Sequence, residues 1–491
     1  MKVRPLARAV ACAGVLLALA APAASASSTA DLAAATASSV ADEALQAAGI
    51  NQIDHVIFIV QENRSFDHIF GTYPGADGIP MRGGVPTMCA PDPRNGGCVR
   101  PYHEPNVRNY GGPHNHTTFL ANMNGGRMDG WIKPAQDRGL CVQGKPGCVT
   151  DVMGYHDRRE LPNYWAYADS FVLHDHMFQP DSTYSLPAHQ YLVSGWSAVC
   201  GTNDPMSCQN SLERTPKPQS GKPYSWTDIT YLLHGAGVSW AYYVVKGTER
   251  GCLTTETACP TRQTRQPTNQ IWNPLTNFVT VKQNSQLGNI RSVDDFRAAA
   301  RTGTLPSVSW IMPNFWVSDH PGAWVSDGQA WVTSLVNAVM QGPSWNSTAI
   351  FVVWDDWGGF YDHVVPPVID GNGYGFRVPS LLISPYARRG YIDHQTLSFD
   401  AYLKFIEDRW LGGQRLDPRT DGRPDRRPTV RENVPQLGNL LDDFDFTQPP
   451  RPPLVLPLRP TGNLGLAGYV AERKAAGLPL DLPRNPQDDE D

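Results

Sequence analysis

Past residue 21 the 491-residue sequence offers no apolar run of the ~18 residues that a membrane span needs, so none is expected there. Positive charge is in deficit. Lys and Arg number 41 against 47 Asp and Glu, a net charge of −6, which argues against a nucleic-acid binder that works by neutralising phosphates. No C-x2-C pair occurs among nine cysteines, so the usual structural zinc spacing is missing. There is no internal repeat, which excludes solenoids and propellers. Long stretches free of helix breakers are scarce, with 44 Gly and 43 Pro, and this disfavours a helical bundle or coiled coil.

What is present is apolar and aromatic. Hydrophobic residues make up 41%, with 14 Trp, 18 Tyr and 16 Phe, too many for a disordered chain. The first segment has the form of an export leader. Lys2, Arg4 and Arg8 precede an apolar run from Ala9 to Ala21, and Ala24-Ser25-Ala26 supplies a small-x-small cleavage pattern. The leader lacks an Arg-Arg pair, and Cys12 lies early in the apolar run, so neither twin-arginine export nor a lipid anchor is indicated. Cleavage near Ala26 and secretion are expected. Eight cysteines then remain in four close pairs. Local disulfides 89–98, 141–148, 200–208 and 252–259 are the simplest pattern for an oxidising destination.

The expected organisation is a signal peptide over 1–26, a flexible Ala/Ser/Thr-rich lead-in over 27–50, a catalytic domain over 51–446 and a Pro-rich, acidic tail over 447–491. His55–Gln61 (HVIFIVQ), Ala349–Trp354 (AIFVVW) and Ser380–Ser384 (SLLIS) are apolar runs of strand length. Such continuous runs predict strands buried on both faces, as in a parallel sheet. Trp331–Met340 and Asp400–Trp410 have helical spacing. Alternation of the two predicts an α/β fold with a central, mostly parallel sheet flanked by helices.

Polar groups gather where strands end. HVIFIVQ runs into Glu62-Asn63 and AIFVVW into Asp355-Asp356, and ligands in open α/β sheets bind beyond the carboxyl ends of strands. Adjacent carboxylates in a cleft call for a cation or a proton. An oxygen-rich set suits a hard divalent ion such as Ca, Mg or Mn, with Zn as a further candidate. The plainer reading of Glu62-Asn63 is a turn or cap opening a helix after Arg64-Ser65. A third cluster, from His174 to His189, holds Asp175, His176, Asp181, Ser182 and Ser185 but no G-x-S-x-G elbow, so an α/β-hydrolase esterase is not indicated. His189 reads as a base, a supporting group or a satisfied core histidine, with the last as default. Histidines of Gly111–His116 and Val317–Pro321 are suited to donate to a transferring phosphoryl group.

Five separated blocks, IDHVIFIVQENRSFDHIFGTYPGADG, GGRMDG, DHMFQPDSTYSLPAHQYLVSGWSA, VSDHP and WDDWGGFYDHVVPP, resemble the phosphoesterase family that includes bacterial phospholipases C and a metal-dependent acid phosphatase. The resemblance covers residues ~52–410 and implies an alkaline phosphatase-like core. It implies a metal held by Glu62, Asn63, Asp355 and Asp356, and Ser185 as nucleophile where phospholipase members often carry Thr. His114 and His320 would bind or protonate phosphoryl oxygens. His363 is a further catalytic candidate with a second reading as a brace for the Asp-Asp loop, and His116 competes with His114. The expected activity is hydrolysis of phosphodiesters of the lipid head-group kind, with acid phosphatase-like monoester hydrolysis as the alternative. The expected partner is a phosphate ester, phospholipid included, with transient contact at a membrane surface and none with nucleic acid. A secreted glycosidase is a remote alternative, because paired carboxylates and Trp suit sugars. Neighbouring Asp355 and Asp356 disfavour it, since successive strand residues face opposite ways. A non-enzymatic carbohydrate binder is the other remote alternative.

Overall fold

The computed structural model describes residues 49–142, 144–211, 222–245 and 271–480. All of them belong to one unit, Gln46–Asp491. The leader, its cleavage site and the 252–259 cysteine pair lie outside the described residues. The other three expected disulfides are present: Cys89–Cys98, Cys141–Cys148 and Cys200–Cys208.

The core is an eight-stranded sheet. Its strands are β1 (His55–Gln61), β2 (Val172–His174), β3 (Trp240–Val244), β4 (Ile290–Ser292), β5 (Val308–Ile311), β6 (Thr348–Trp354), β7 (Ser380–Ile383) and β8 (Tyr391–Asp393). They lie in the order β4-β3-β5-β1-β6-β7-β2-β8. All neighbours are parallel except at β7, which runs antiparallel to both β6 and β2. The mostly parallel α/β sheet agrees with the sequence reading. The direction of β7 does not follow from its apolar run, because burial on both faces demands apolar side chains whichever way a strand points.

Five helices position the site: α1 (Phe66–Phe70), α2 (His116–Met123), α3 (Ser185–Ser194), α4 (Val325–Met340) and α5 (Phe399–Trp410). The cap of α1 is Ser65, which accepts from the His68 amide, and not Glu62 or Asn63. In α3, Pro187 lies in the first turn, where its missing N–H breaks no helical bond. Helix α4 starts six residues before the expected Trp331. Gly328 permits this, since a Cβ there would fall 1.9 Å from Asp319 Oδ1. The Pro-rich stretch has no regular structure and is tied to α4. Asn337 donates to Leu456 O at 2.8 Å and accepts from the Leu456 amide at 3.1 Å. A last helix, α6 (Gly465–Ala475), follows. Among the described residues no helix is long and apolar enough to cross a membrane.

Phe58, in the middle of β1, packs on Trp310, Phe351 and Tyr402 at centroid distances of 6.2, 5.5 and 5.0 Å. Phe58→Ala should cost about 3–5 kcal/mol, read from the denaturant midpoint of unfolding.

Candidate active site

The site follows from strand register. β1 and β6 pair from His55 opposite Thr348 to Gln61 opposite Trp354, and the Asp355 amide extends the ladder to Gln61 O at 2.9 Å. The next residues, Glu62 on one strand and Asp355-Asp356 on the other, therefore emerge side by side at the carboxyl edge. Asn63 takes the left-handed conformation (φ 58°), which asparagine tolerates better than most residues. Two glycines allow the Asp355-Asp356 loop to close on this turn. A Cβ on Gly358 would lie 2.2 Å from Asn63 O, and one on Gly359 would lie 2.3 Å from Gly112 Cα. The Gly112 amide donates to Gly358 O at 3.0 Å, which draws the His114 loop in as well.

Glu62, Asn63, Ser185, His189, Asp355 and Asp356 are all fully buried. Each acid or amide spends one atom on the scaffold. Asp355 Oδ1 accepts from the amides of Asn63 (2.9 Å) and Asp356 (2.7 Å). Asp356 Oδ1 accepts from the Gly358 amide at 2.7 Å. Glu62 Oε1 accepts from His189 Nε2 at 3.0 Å. Asn63 Nδ2 donates to His114 Nε2 at 2.8 Å, while His114 Nδ1 donates to Gly112 O at 3.1 Å. The remaining oxygens are Glu62 Oε2, Asn63 Oδ1, Asp355 Oδ2 and Asp356 Oδ2. Ser185 Oγ donates toward two of them, Asp356 Oδ2 at 3.0 Å and Glu62 Oε2 at 3.3 Å. The other two, Asn63 Oδ1 and Asp355 Oδ2, are buried with no hydrogen-bond partner.

These residues fit a divalent cation. Three buried carboxylates repel one another unless a positive charge or protons intervene, and two orphaned oxygens are costly unless something binds them. Glu62 and Asp355 each offer a carboxylate oxygen within 4.8 Å of the other. The donor set is predominantly oxygen, as hard ions prefer.

The five residues expected at the centre from Glu62 to Asp356, Ser185 included, are thus brought together, and His114 joins them through Asn63, 3.8 Å from Asp356 Oδ2. His116 is exposed at the start of α2 and contacts Ser182 Oγ at 2.8 Å, so of the two competing histidines His114 is the inner one. His320 is buried on the adjoining loop, where Ser318 O accepts from the Glu62 amide at 2.7 Å. Its ring meets Pro321 O at 2.9 Å and the edge of Phe315. His363 is not brought to Ser185 or to the four oxygen donors. Its Nδ1 donates to Asp67 Oδ2 at 2.8 Å and its Nε2 to Asp77 Oδ1 at 3.2 Å, behind the turn. Arg377 binds both Asp67 and Asp362 there. His189, which the sequence leaves as a core histidine, is inside the centre. The signal is its spacing, one helical turn after Ser185.

A model of the Phosphoesterase family matches residues 53–411. Phospholipase C B of Mycobacterium tuberculosis is 29% identical over 450 residues, covering 82% of this chain and 80% of that protein. The non-hemolytic phospholipase C of Burkholderia pseudomallei is 27% identical over 451 residues, covering 82% of this chain and 60% of that protein. Among solved structures, a phosphonate monoester hydrolase of Agrobacterium radiobacter is 11% identical with a TM-score of 0.31, covering 72% of this chain and 73% of that one, a likeness too loose to carry an argument.

Two expectations follow from the geometry. Gly358→Ala should destabilise the protein by about 1–3 kcal/mol and depress turnover, because the new Cβ meets backbone at a positive φ. Burial works against charge on His363, but Asp67 and the hydrogen bond to it prevail and raise its pKa to about 9. A folded pKa above the ordinary 6.5 gives stability that is full below 6.5 and is lost as pH rises through about 9. Urea midpoints at pH 6 and pH 9.5 should differ more for the wild type than for His363→Gln, and equal differences would count against the pair.

Proposed function

Because the chain belongs to the Phosphoesterase family and is a hydrolase of phosphoester bonds, we propose that Ser185 is its nucleophile, working in a divalent-cation centre on phosphodiesters of the phospholipid class. One observation carries this reading: Ser185 Oγ points at carboxylate oxygens of both strand ends, 3.0 Å from Asp356 and 3.3 Å from Glu62.

The hydroxyl proton leaves toward Asp356 Oδ2. Serine oxygen then forms a bond to phosphorus as the bond from phosphorus to the leaving alcohol breaks, and the alcohol oxygen takes up the proton that Asp356 received. Water afterwards cleaves the phosphoserine and restores the hydroxyl. Glu62, Asn63, Asp355 and Asp356 would hold the cation, which when bound supplies Lewis-acid charge beside the serine and the phosphoryl oxygens. His320 is the candidate donor to those oxygens. His114 serves chiefly through Asn63: by accepting its amide N–H it turns Oδ1 inward. His363 braces the turn from behind. Export with cleavage after Ala26 completes the proposal, and N-terminal sequencing of protein from the medium checks it.

Ser185→Ala should lower kcat by about three or more orders of magnitude while leaving bound metal, measured by elemental analysis, unchanged. Near-wild-type turnover would refute the nucleophile. Exhaustive chelation should abolish activity, and added divalent metal should restore it. A nitrophenyl phosphocholine should be cleaved faster than nitrophenyl phosphate, and the reverse ratio would make the enzyme a phosphomonoesterase.

A further inference from the structure

We propose that His189 is a positioning residue that fixes the rotamer of Glu62, dividing its carboxylate between scaffold and chemistry. The inference rests on the cation-centred reading above and adds a residue to it. His189 Nε2 lies 3.0 Å from Glu62 Oε1 and 3.7 Å from Asp355 Oδ2. The first distance is a hydrogen bond, and an ionised carboxylate can only accept, so the proton sits on Nε2. With Oε1 held in this way, Oε2 faces Ser185 Oγ at 3.3 Å. Ser185 and His189 are one turn apart on α3, which places both side chains over the same edge of the sheet. Every residue of that helix is buried, so nucleophile and holder move as one rigid piece.

The test uses the full chain carrying His189→Ala or His189→Gln. Glutamine can donate from Nε2 over a similar reach. Chelator-stripped protein is titrated with Mn2+ alone by calorimetry, and kcat and KM are then measured on a nitrophenyl phosphocholine. His189→Ala should weaken metal binding and lower kcat, each by about 10–100-fold, with KM changed less than about threefold. His189→Gln should recover both to within about fivefold of wild type. Wild-type metal affinity and kcat in the alanine variant would make His189 a core filler and overturn the proposal. A folded glutamine variant that binds metal as poorly as alanine would also overturn it, showing that the imidazole itself is required as a ligand. Should the alanine variant fail to fold, the glutamine arm still decides. The metal titration needs no substrate. It therefore separates this proposal from the functional reading, which fails if wild-type protein turns over no phosphate ester.

Discussion

The in-register pairing of β1 with β6 decides where acidity is concentrated. Side chains alternate along a strand, so a slip of one residue would turn Glu62 away from Asp355 and re-pair every side chain packed between the two runs. The two apolar runs thus do more than fill the core. Their mutual burial, with Phe58 against Phe351 and Trp310, fixes the register that sets the carboxylates beside each other. The glycines at 358, 359 and 112 then remove the side chains that would keep the three loops apart.

Two clusters of buried acids lie within a short distance along the chain and have different surroundings. Asp67 and Asp362, just past the turn, share the Arg377 guanidinium, with His363 closing the group. That cluster is electrostatically complete, and an additional cation would have to compete with a fixed one. At Glu62, Asp355 and Asp356 the facing groups are an imidazole, a serine hydroxyl and backbone amides, and two inward oxygens stay unpartnered. The contrast is what distinguishes a structural acid cluster from one suited to an exchangeable ion. Residue type alone does not distinguish them, since both contain aspartates beside a histidine.

Much of this was legible in the sequence because the strongest signals are local. HVIFIVQ-EN and AIFVVW-DD each read as a strand followed by charge, and both do lie at the carboxyl edge. The close cysteine pairs read as local disulfides, and three are present. The strands Val172–His174, Trp240–Val244, Ile290–Ser292, Val308–Ile311 and Tyr391–Asp393 are three to five residues long and exist through pairing with neighbours, so no internal period announces them. His363 shares a motif with Asp355-Asp356, yet chain proximity did not carry its ring to the centre. His189 shares only a helical spacing with Ser185, and its ring reached it. Roles of that kind depend on which way a side chain points, which is settled by partners remote in the chain.

Arg64 shows how such remote partners are organised. In sequence it reads as one member of a turn. In the fold it is fully buried, and its Nε donates to Asp319 O at 2.7 Å while Nη1 reaches Asn109 Oδ1 at 3.2 Å and His68 Nε2 at 2.9 Å. Its guanidinium also lies over the Phe360 ring, 4.5 Å from the centroid. One side chain, next to Asn63, thereby ties together the loop carrying His320, the segment leading to His114, the first turn of α1 and the glycine loop after Asp356. Burial lowers its pKa to about 10, with Asp319 and Asp151 offsetting part of that cost. The charge therefore persists throughout the neutral range. Three of the five motif blocks, those holding His68, Asp319 and Phe360 and spread over some three hundred residues, remain together because each supplies this cation with an acceptor or an aromatic face. Losing any one would leave a buried charge poorly satisfied, so the pin constrains all of them at once.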